Sequence, residues 1–184
     1  LSANWMWPCN NPGEDARLYA AVEACSDFAI ALGINIPTGK DSLSMKQKYT
    51  EGDVLAPGTV IISTVGTCSD INKIVTPVAT PEGGDFYYID FSKDAFDLGG
   101  SSFAQSIAAI GDKTPGVQDP AYFKKAFNAL QLLIHSGSIT AGHDIGSGGL
   151  ITSLLEMCFP SHGVGMRLDL SVLEEADTVR CLFS

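Results

Sequence analysis

The sequence predicts an α+β fold, a layered packing of helices on sheet rather than a doubly wound parallel sheet. Helix-like and strand-like segments interleave without a regular strand–helix–strand count. Two glycine-rich turns, at residues 97–102 and 146–149, each run into a helix-like segment. Between them and the first part of the chain, residues 77–84 are rich in proline and glycine. That punctuation puts a boundary near residues 70–76, so the predicted domains are residues 1–70 and 71–184.

The first predicted element is a helix over residues 12–32. Asn11 is placed to cap it, Pro12 suits the first helical position, and Glu14 is placed to reach back as in a capping box. Leu18, Val22, Cys25, Phe28 and Leu32 recur at helical spacing as its core face, and Gly33 ends it. Residues 34–50 read as strand on both sides of a turn, Thr38-Gly39-Lys40-Asp41-Ser42. Residues 51–57 read as a loop, and 58–66, with Val60, Ile61, Ile62 and Val65, as a mostly buried strand. Ahead of all these, Trp5 and Trp7 are candidate core anchors, with Asn4 beside them.

The second part restarts with a central strand over residues 86–91 and a short helix over 103–110. Asp119-Pro120 opens a helix to His135, with Phe123, Phe127, Leu130, Leu133 and Ile134 as its apolar stripe and Gly137 as its stop. Residues 138–141 read as strand and 150–159 as helix. Alternation over 164–171 reads as a strand with one face in water. Residues 181–184 read as the first turns of a helix, and both ends read as cut from a longer protein.

Composition narrows the function classes. The 184 residues are 45% hydrophobic and 17% charged, as in a globular protein able to bury a core. No apolar run reaches the roughly 20 residues of a membrane span, and the start carries no basic leader. A net charge of −10 argues against a nucleic-acid-binding surface. Five scattered cysteines, with no C-x-x-C pair, argue against structural zinc and a disulfide framework and point to the cytoplasm.

The strongest chemical signal is His143-Asp144-Ile145-Gly146-Ser147-Gly148-Gly149, at a strand-to-helix turn. Free amides and a positive helix end suit a phosphate, and Asp144 is a carboxylate for the Mg²⁺ that accompanies nucleotide phosphates. The plainer reading is a tight turn in which Asp144 only caps the helix; three glycines at 146, 148 and 149 exceed what such a turn needs. Gly99, Gly100 and Ser101 form a second candidate phosphate loop, or simply a loop with a serine cap. Lys40 is a candidate phosphate neutraliser, although G-x-x-x-x-G-K-[ST] is absent and a charged turn is the plainer reading. His135 reads as a helix-end histidine and His162 as solvated; no nucleophile elbow or zinc spacing occurs.

An ordered set of motifs runs through the chain: Leu1-Ser2-Ala3-Asn4-Trp5-Met6, Pro12-Gly13-Glu14-Asp15, Pro37-Thr38-Gly39-Lys40-Asp41-Ser42-Leu43-Ser44-Met45, Leu98-Gly99-Gly100-Ser101 with Ala104-Gln105, and His143-Asp144 through Leu150. This set resembles the large form of phosphoribosylformylglycinamidine synthase over essentially the whole chain. The resemblance implies an aminoimidazole ribonucleotide synthetase-like sandwich, with residues 1–70 as the end of an N-terminal domain and 71–184 as most of a C-terminal domain. It implies a segment of the second such unit in a glutamine-dependent ligase of purine biosynthesis. That ligase converts formylglycinamide ribonucleotide, ATP and glutamine into the amidine, ADP, phosphate and glutamate.

By position, the resemblance makes Asp144 a magnesium ligand of an ATP or ADP site. Lys40, Gly99, Gly100, Ser101, Gly146, Ser147, Gly148 and Gly149 are the corresponding nucleotide-contacting candidates. Gly146 falls where many relatives carry a nucleotide-contacting serine, and a glycine offers only backbone there. No residue is expected to be catalytic, and nothing matches the glutaminase cysteine. The implied partners are the rest of the parent chain, including its glutaminase, and a second copy paired through N-terminal strands. A structural module holding an auxiliary ADP is the competing reading. Selenophosphate synthetase and thiamine-monophosphate kinase fit residues 2–6 and 39–45 poorly.

Overall fold

The computed structural model describes all 184 residues. The chain divides into two compact units, Leu1–Ser69 and Asp70–Ser184. The first is built around β1 (Ser2–Met6), a strand that the sequence pattern leaves unassigned. β1 is the middle of a three-stranded sheet in the order β2-β1-β5, where β2 is Thr38–Ser42 and β5 is Thr59–Ser63. β2 runs parallel to β1 and β5 antiparallel. A parallel neighbour needs a crossover, and α1 (Glu14–Leu32) supplies it.

Alternation along β1 sends Ala3 and Trp5 into the core beside Trp7, where Leu18, Ala21, Cys25 and Ile36 pack on them. The helical stripe is therefore real, with Ala21 in the place expected of the exposed Val22. The start of α1 differs from expectation. Its cap is Gly13 in a left-handed conformation, while the Asn11 amide donates to the Pro8 carbonyl and Glu14 pairs with Arg17 at 2.7 Å.

The expected turn at residues 38–42 is β2 itself, because its backbone finds β1 as a ladder partner. Likewise, the expected loop at 51–57 contains β4 (Gly52–Leu55). It forms a hairpin with β3 (Lys46–Tyr49) that is bridged by Lys46 and Asp53 at 2.9 Å. β5 is exposed rather than buried at Val60, Ile61 and Ile62, being an edge strand with β1 as its single neighbour.

In the second unit the helices hold and the strands do not form. α3 (Pro120–His135) starts as expected, with the Asp119 carboxylate accepting from the Tyr122 amide at 2.9 Å and proline in the first turn. Phe123 packs on Phe91 and Phe127, although Phe127 and Leu133 keep much exposed surface. α2 (Ser102–Ser106) is shorter than expected. α4 (Gly149–Cys158) and α5 (Thr178–Phe183) complete the set. Residues 86–91 and 164–170 form no ladder, and residues 138–141 contribute one isolated parallel bridge, from Ala141 to Thr76. Alternation specifies two faces, but a strand also needs a hydrogen-bonding neighbour remote in sequence, which the pattern does not supply. No helix of the chain is long and apolar enough to cross a membrane.

Trp7→Ala is expected to destabilise the N-terminal unit towards the low end of the usual roughly 3–5 kcal/mol for such a deletion. Its indole N–H is buried without a partner, so the loss is partly offset by relief of a desolvated donor. Chemical denaturation followed by fluorescence would measure it. In the second unit, the Asp94 carboxylate is held below its ordinary 3.8 by hydrogen bonds from the Ala95 amide, the Gln118 side chain and the Gly116 amide. A depressed carboxylate stabilises the fold above its ordinary value, and that contribution is lost as pH falls through the folded value. Amide exchange at Gly116, corrected for the intrinsic pH dependence, should therefore accelerate on acidification below about pH 4 in the folded chain.

Candidate functional site

The two glycine-rich turns of the second unit lie against each other. The Ser102 amide donates to the Ser147 carbonyl at 2.8 Å, and the two serine hydroxyls are 3.1 Å apart. Each turn starts a helix, so two helix N-termini meet at one place. α5 supports both. Arg180 donates from Nε to the Phe96 carbonyl at 2.6 Å and from Nη2 to the Asp97 carboxylate at 3.2 Å. The Ser184 hydroxyl reaches the Asp97 carbonyl at 3.0 Å, and Phe183 stacks on Phe103 at 4.6 Å.

The turns differ in what their backbones have left to offer. The Gly99 amide donates to the Lys113 carbonyl, that of Gly100 to Ile110, and that of Ser101 to Leu98, at 2.7–3.1 Å. The Ser101 hydroxyl accepts from the Ala104 amide as the cap of α2. A phosphate cradle made of these amides, as the sequence suggested, would have to break those bonds, so Gly99, Gly100 and Ser101 form a support. The amides of Gly146, Ser147 and Gly148 have no partner inside the protein. They precede α4 directly, where the helix dipole is positive.

The glycines here also have different tasks. Gly149 adopts φ +77°, and a Cβ on it would run into the backbone of Phe183 and the Leu182 carbonyl. It is required by packing. A Cβ placed on Gly146 would meet nothing within 4 Å, and the backbone there is unstrained.

Asp144 sits two residues before Gly146 with its carboxylate fully exposed. Its carbonyl is held twice, by His143 Nδ1 at 2.6 Å and by the Ser153 hydroxyl at 2.9 Å. Asp144 does not cap α4, whose cap is Gly148 without a side-chain bond. No group of three or more His, Cys, Asp or Glu side chains gathers as a metal site. One carboxylate with open surroundings fits Mg²⁺ only as a partial ligand set, with phosphate oxygens and waters filling the rest. Sequence reasoning missed Ser102, Ser153 and Glu156; the last faces His143 Nε2 at 3.2 Å. The only signal for the last two was their i, i+3 spacing on one face of α4. Lys40 belongs to the other unit, on edge strand β2, where its ammonium donates to the Ser42 hydroxyl at 2.7 Å and the Asp41 carbonyl at 3.0 Å.

Residues 1–67 match the family model of the FGAR-AT PurM_N-like domain, and residues 96–183 match that of the AIR synthase related protein, C-terminal domain. A probable phosphoribosylformylglycinamidine synthase, chloroplastic/mitochondrial, of Arabidopsis thaliana is 42% identical over 173 residues. The chain is a fragment-sized match to phosphoribosylformylglycinamidine synthase, with an FGAR-AT PurM_N-like and an AIR synthase-related C-terminal domain. The match covers 92% of the chain and 12% of the length of the plant relative, so the chain spans a small part of it. The α+β architecture agrees with the C-terminal domain of that family.

Gly149→Ala is expected to destabilise the second unit by more than the roughly 1–3 kcal/mol of a left-handed non-glycine residue, because the backbone clash adds to it. Gly146→Ala should stay within about 0.5 kcal/mol of the unmutated chain. Thermal or urea unfolding of the two variants side by side separates the packing glycine from the open one.

Proposed function

We propose that the chain is a segment of a glutamine-dependent C–N ligase. The parent would convert formylglycinamide ribonucleotide to its amidine with ATP, and this segment would contribute nucleotide-phosphate and magnesium contacts. Residues 1–70 would be the end of an N-terminal domain of the second synthetase-like unit, and 71–184 most of its C-terminal domain. The observation that carries the reading is the trio of unpartnered amides at Gly146, Ser147 and Gly148, one turn from the exposed Asp144 carboxylate. Amides at a helix start suit a phosphate, and a neighbouring carboxylate suits the metal on that phosphate.

In this reading Asp144 holds Mg²⁺ and the amides of residues 146–148 receive phosphate. Gly149 sets their direction through its packing, and Gly99, Gly100 and Ser101 support the Ser147 backbone through Ser102. Lys40 lies in the other unit, with its ammonium bonded to Ser42 and Asp41, and is given no part in this turn. Magnesium would draw off charge from the phosphates that the amides also stabilise. No residue of this segment is assigned a catalytic role. The rest of the parent chain would supply the glutaminase and the substrate pocket. β2 and β5, each with one strand neighbour, would be the candidate pairing edges for a second synthetase-like unit or a second copy.

The second reading is a structural module that keeps an auxiliary ADP; in either reading further metal ligands would come from elsewhere. The five cysteines are free, in keeping with a reducing compartment. The cytoplasm is the compartment proposed, although the name of the plant relative is organellar.

Calorimetric titration of the chain with ADP and ATP, with and without Mg²⁺, tests the nucleotide role. Magnesium-dependent binding that Asp144→Asn weakens about tenfold or more is the expected result. Equal binding by both proteins would remove Asp144 from the site. In the full-length enzyme, the same substitution should lower turnover per folded molecule if the site is catalytic. It should lower thermal stability with turnover intact if the ADP is auxiliary.

A further inference from the structure

Asp144 presents a fully exposed carboxylate, 3.6 Å from His143 Nδ1, while its carbonyl is gripped from two sides. Two donors converge on its carbonyl, His143 Nδ1 at 2.6 Å and the Ser153 hydroxyl at 2.9 Å. Ser153 is buried on α4. The other nitrogen of His143 faces the Glu156 carboxylate at 3.2 Å. Ser153 and Glu156 are three residues apart and so share one face of α4. The helix whose start leaves three amides free thus also grips the preceding loop at Asp144, directly through a hydroxyl and indirectly through an imidazole. The side chain leaves the Cα next to this clamped carbonyl, so the clamp fixes the base from which the carboxylate extends.

We infer that Glu156 is a positioning residue for the Asp144 carboxylate, acting through His143. The inference rests on the reading of Asp144 as a metal ligand. Without Glu156, the ring loses the side chain that its Nε2 faces at 3.2 Å, and Nδ1 no longer fixes the Asp144 carbonyl. Carboxylate and amides then cease to move as one rigid body with α4. Outer partners that orient a metal ligand commonly change metal affinity 10–100-fold when removed. Glu156 is half exposed, so its replacement leaves no cavity.

Glu156→Ala and Glu156→Gln, made in the full chain, test this. A glutamine side-chain amide can still pair with His143 Nε2, its oxygen accepting from an N–H or its NH₂ donating to a bare ring nitrogen; alanine cannot. Titrations with ADP alone, with ADP plus Mg²⁺, and with Mn²⁺ alone give the first readout. Glu156→Ala should weaken the metal-dependent component about tenfold or more and leave metal-free ADP binding unchanged, and Glu156→Gln should match the unmutated chain. Equal losses in both variants would overturn the inference, since the carboxylate itself would then be holding metal. An unchanged Glu156→Ala would overturn it as well.

Amide exchange over residues 143–149 in the unliganded chain is the second readout. It should accelerate in Glu156→Ala and not in Glu156→Gln. If metal-dependent binding is missing from the unmutated chain, the metal reading fails by itself. The exchange pattern then still decides whether Glu156 holds the loop, and unaltered exchange in Glu156→Ala sinks that too.

Discussion

The candidate site depends on the approach of the α5 backbone to the first residue of α4. Gly149 meets Phe183 so closely that no side chain fits between them. That contact brings the end of α5 to where Arg180 and Ser184 reach the carbonyls of Phe96 and Asp97, and where Phe183 stacks on Phe103. Both glycine-rich turns are therefore hung on a helix only 6 residues long. A helix that short has little stability of its own, and its order comes from this packing. The site is in consequence a tertiary product, made by three helix ends that share one small contact.

The same packing explains why two turns of similar composition do different work. The amides of Gly99 and Gly100 are consumed by the carbonyls of Lys113 and Ile110, and that of Ser101 by Leu98. Residues 146–148 meet only the Ser102 side of the other turn, through a carbonyl and a hydroxyl, so their donors stay free. A buried amide without a partner is costly, whereas one at a surface helix start is satisfied by water until an anion replaces it. The distribution of unspent donors separates a supporting turn from a candidate binding turn more sharply than glycine content does.

Helices were the legible part of the fold. α1, α3 and α4 carry their own signals: apolar spacing, Pro120 behind the Asp119 cap, and Gly33 and Gly137 at the ends; α5 ends at Phe183, where the sequence predicted a helix to begin. Their hydrogen bonds are local, so a local pattern suffices. Strands were legible only as extended segments. β1 was hidden by its mixed residues, although Trp5 and Trp7 marked the core, and β2 looked like a turn because Gly39-Lys40-Asp41 has low strand propensity. Conversely, residues 86–91 have the right composition and no ladder partner.

For the candidate site, the sequence by itself determined the chemistry on offer. It supplied a carboxylate at 144, glycines that permit a tight turn before a helix, and no nucleophile or zinc set. It also carried the motif order that marks the family. Only the tertiary structure decided which amides remain free, that Gly149 serves packing while Gly146 faces open space, and that Ser153 and Glu156 stand behind Asp144. The reason is physical. Residue type and helical period are local quantities, whereas the occupancy of a donor and the clearance around a Cβ are set by other segments, such as Ile110 and Lys113 for residues 99–100 and Phe183 for Gly149.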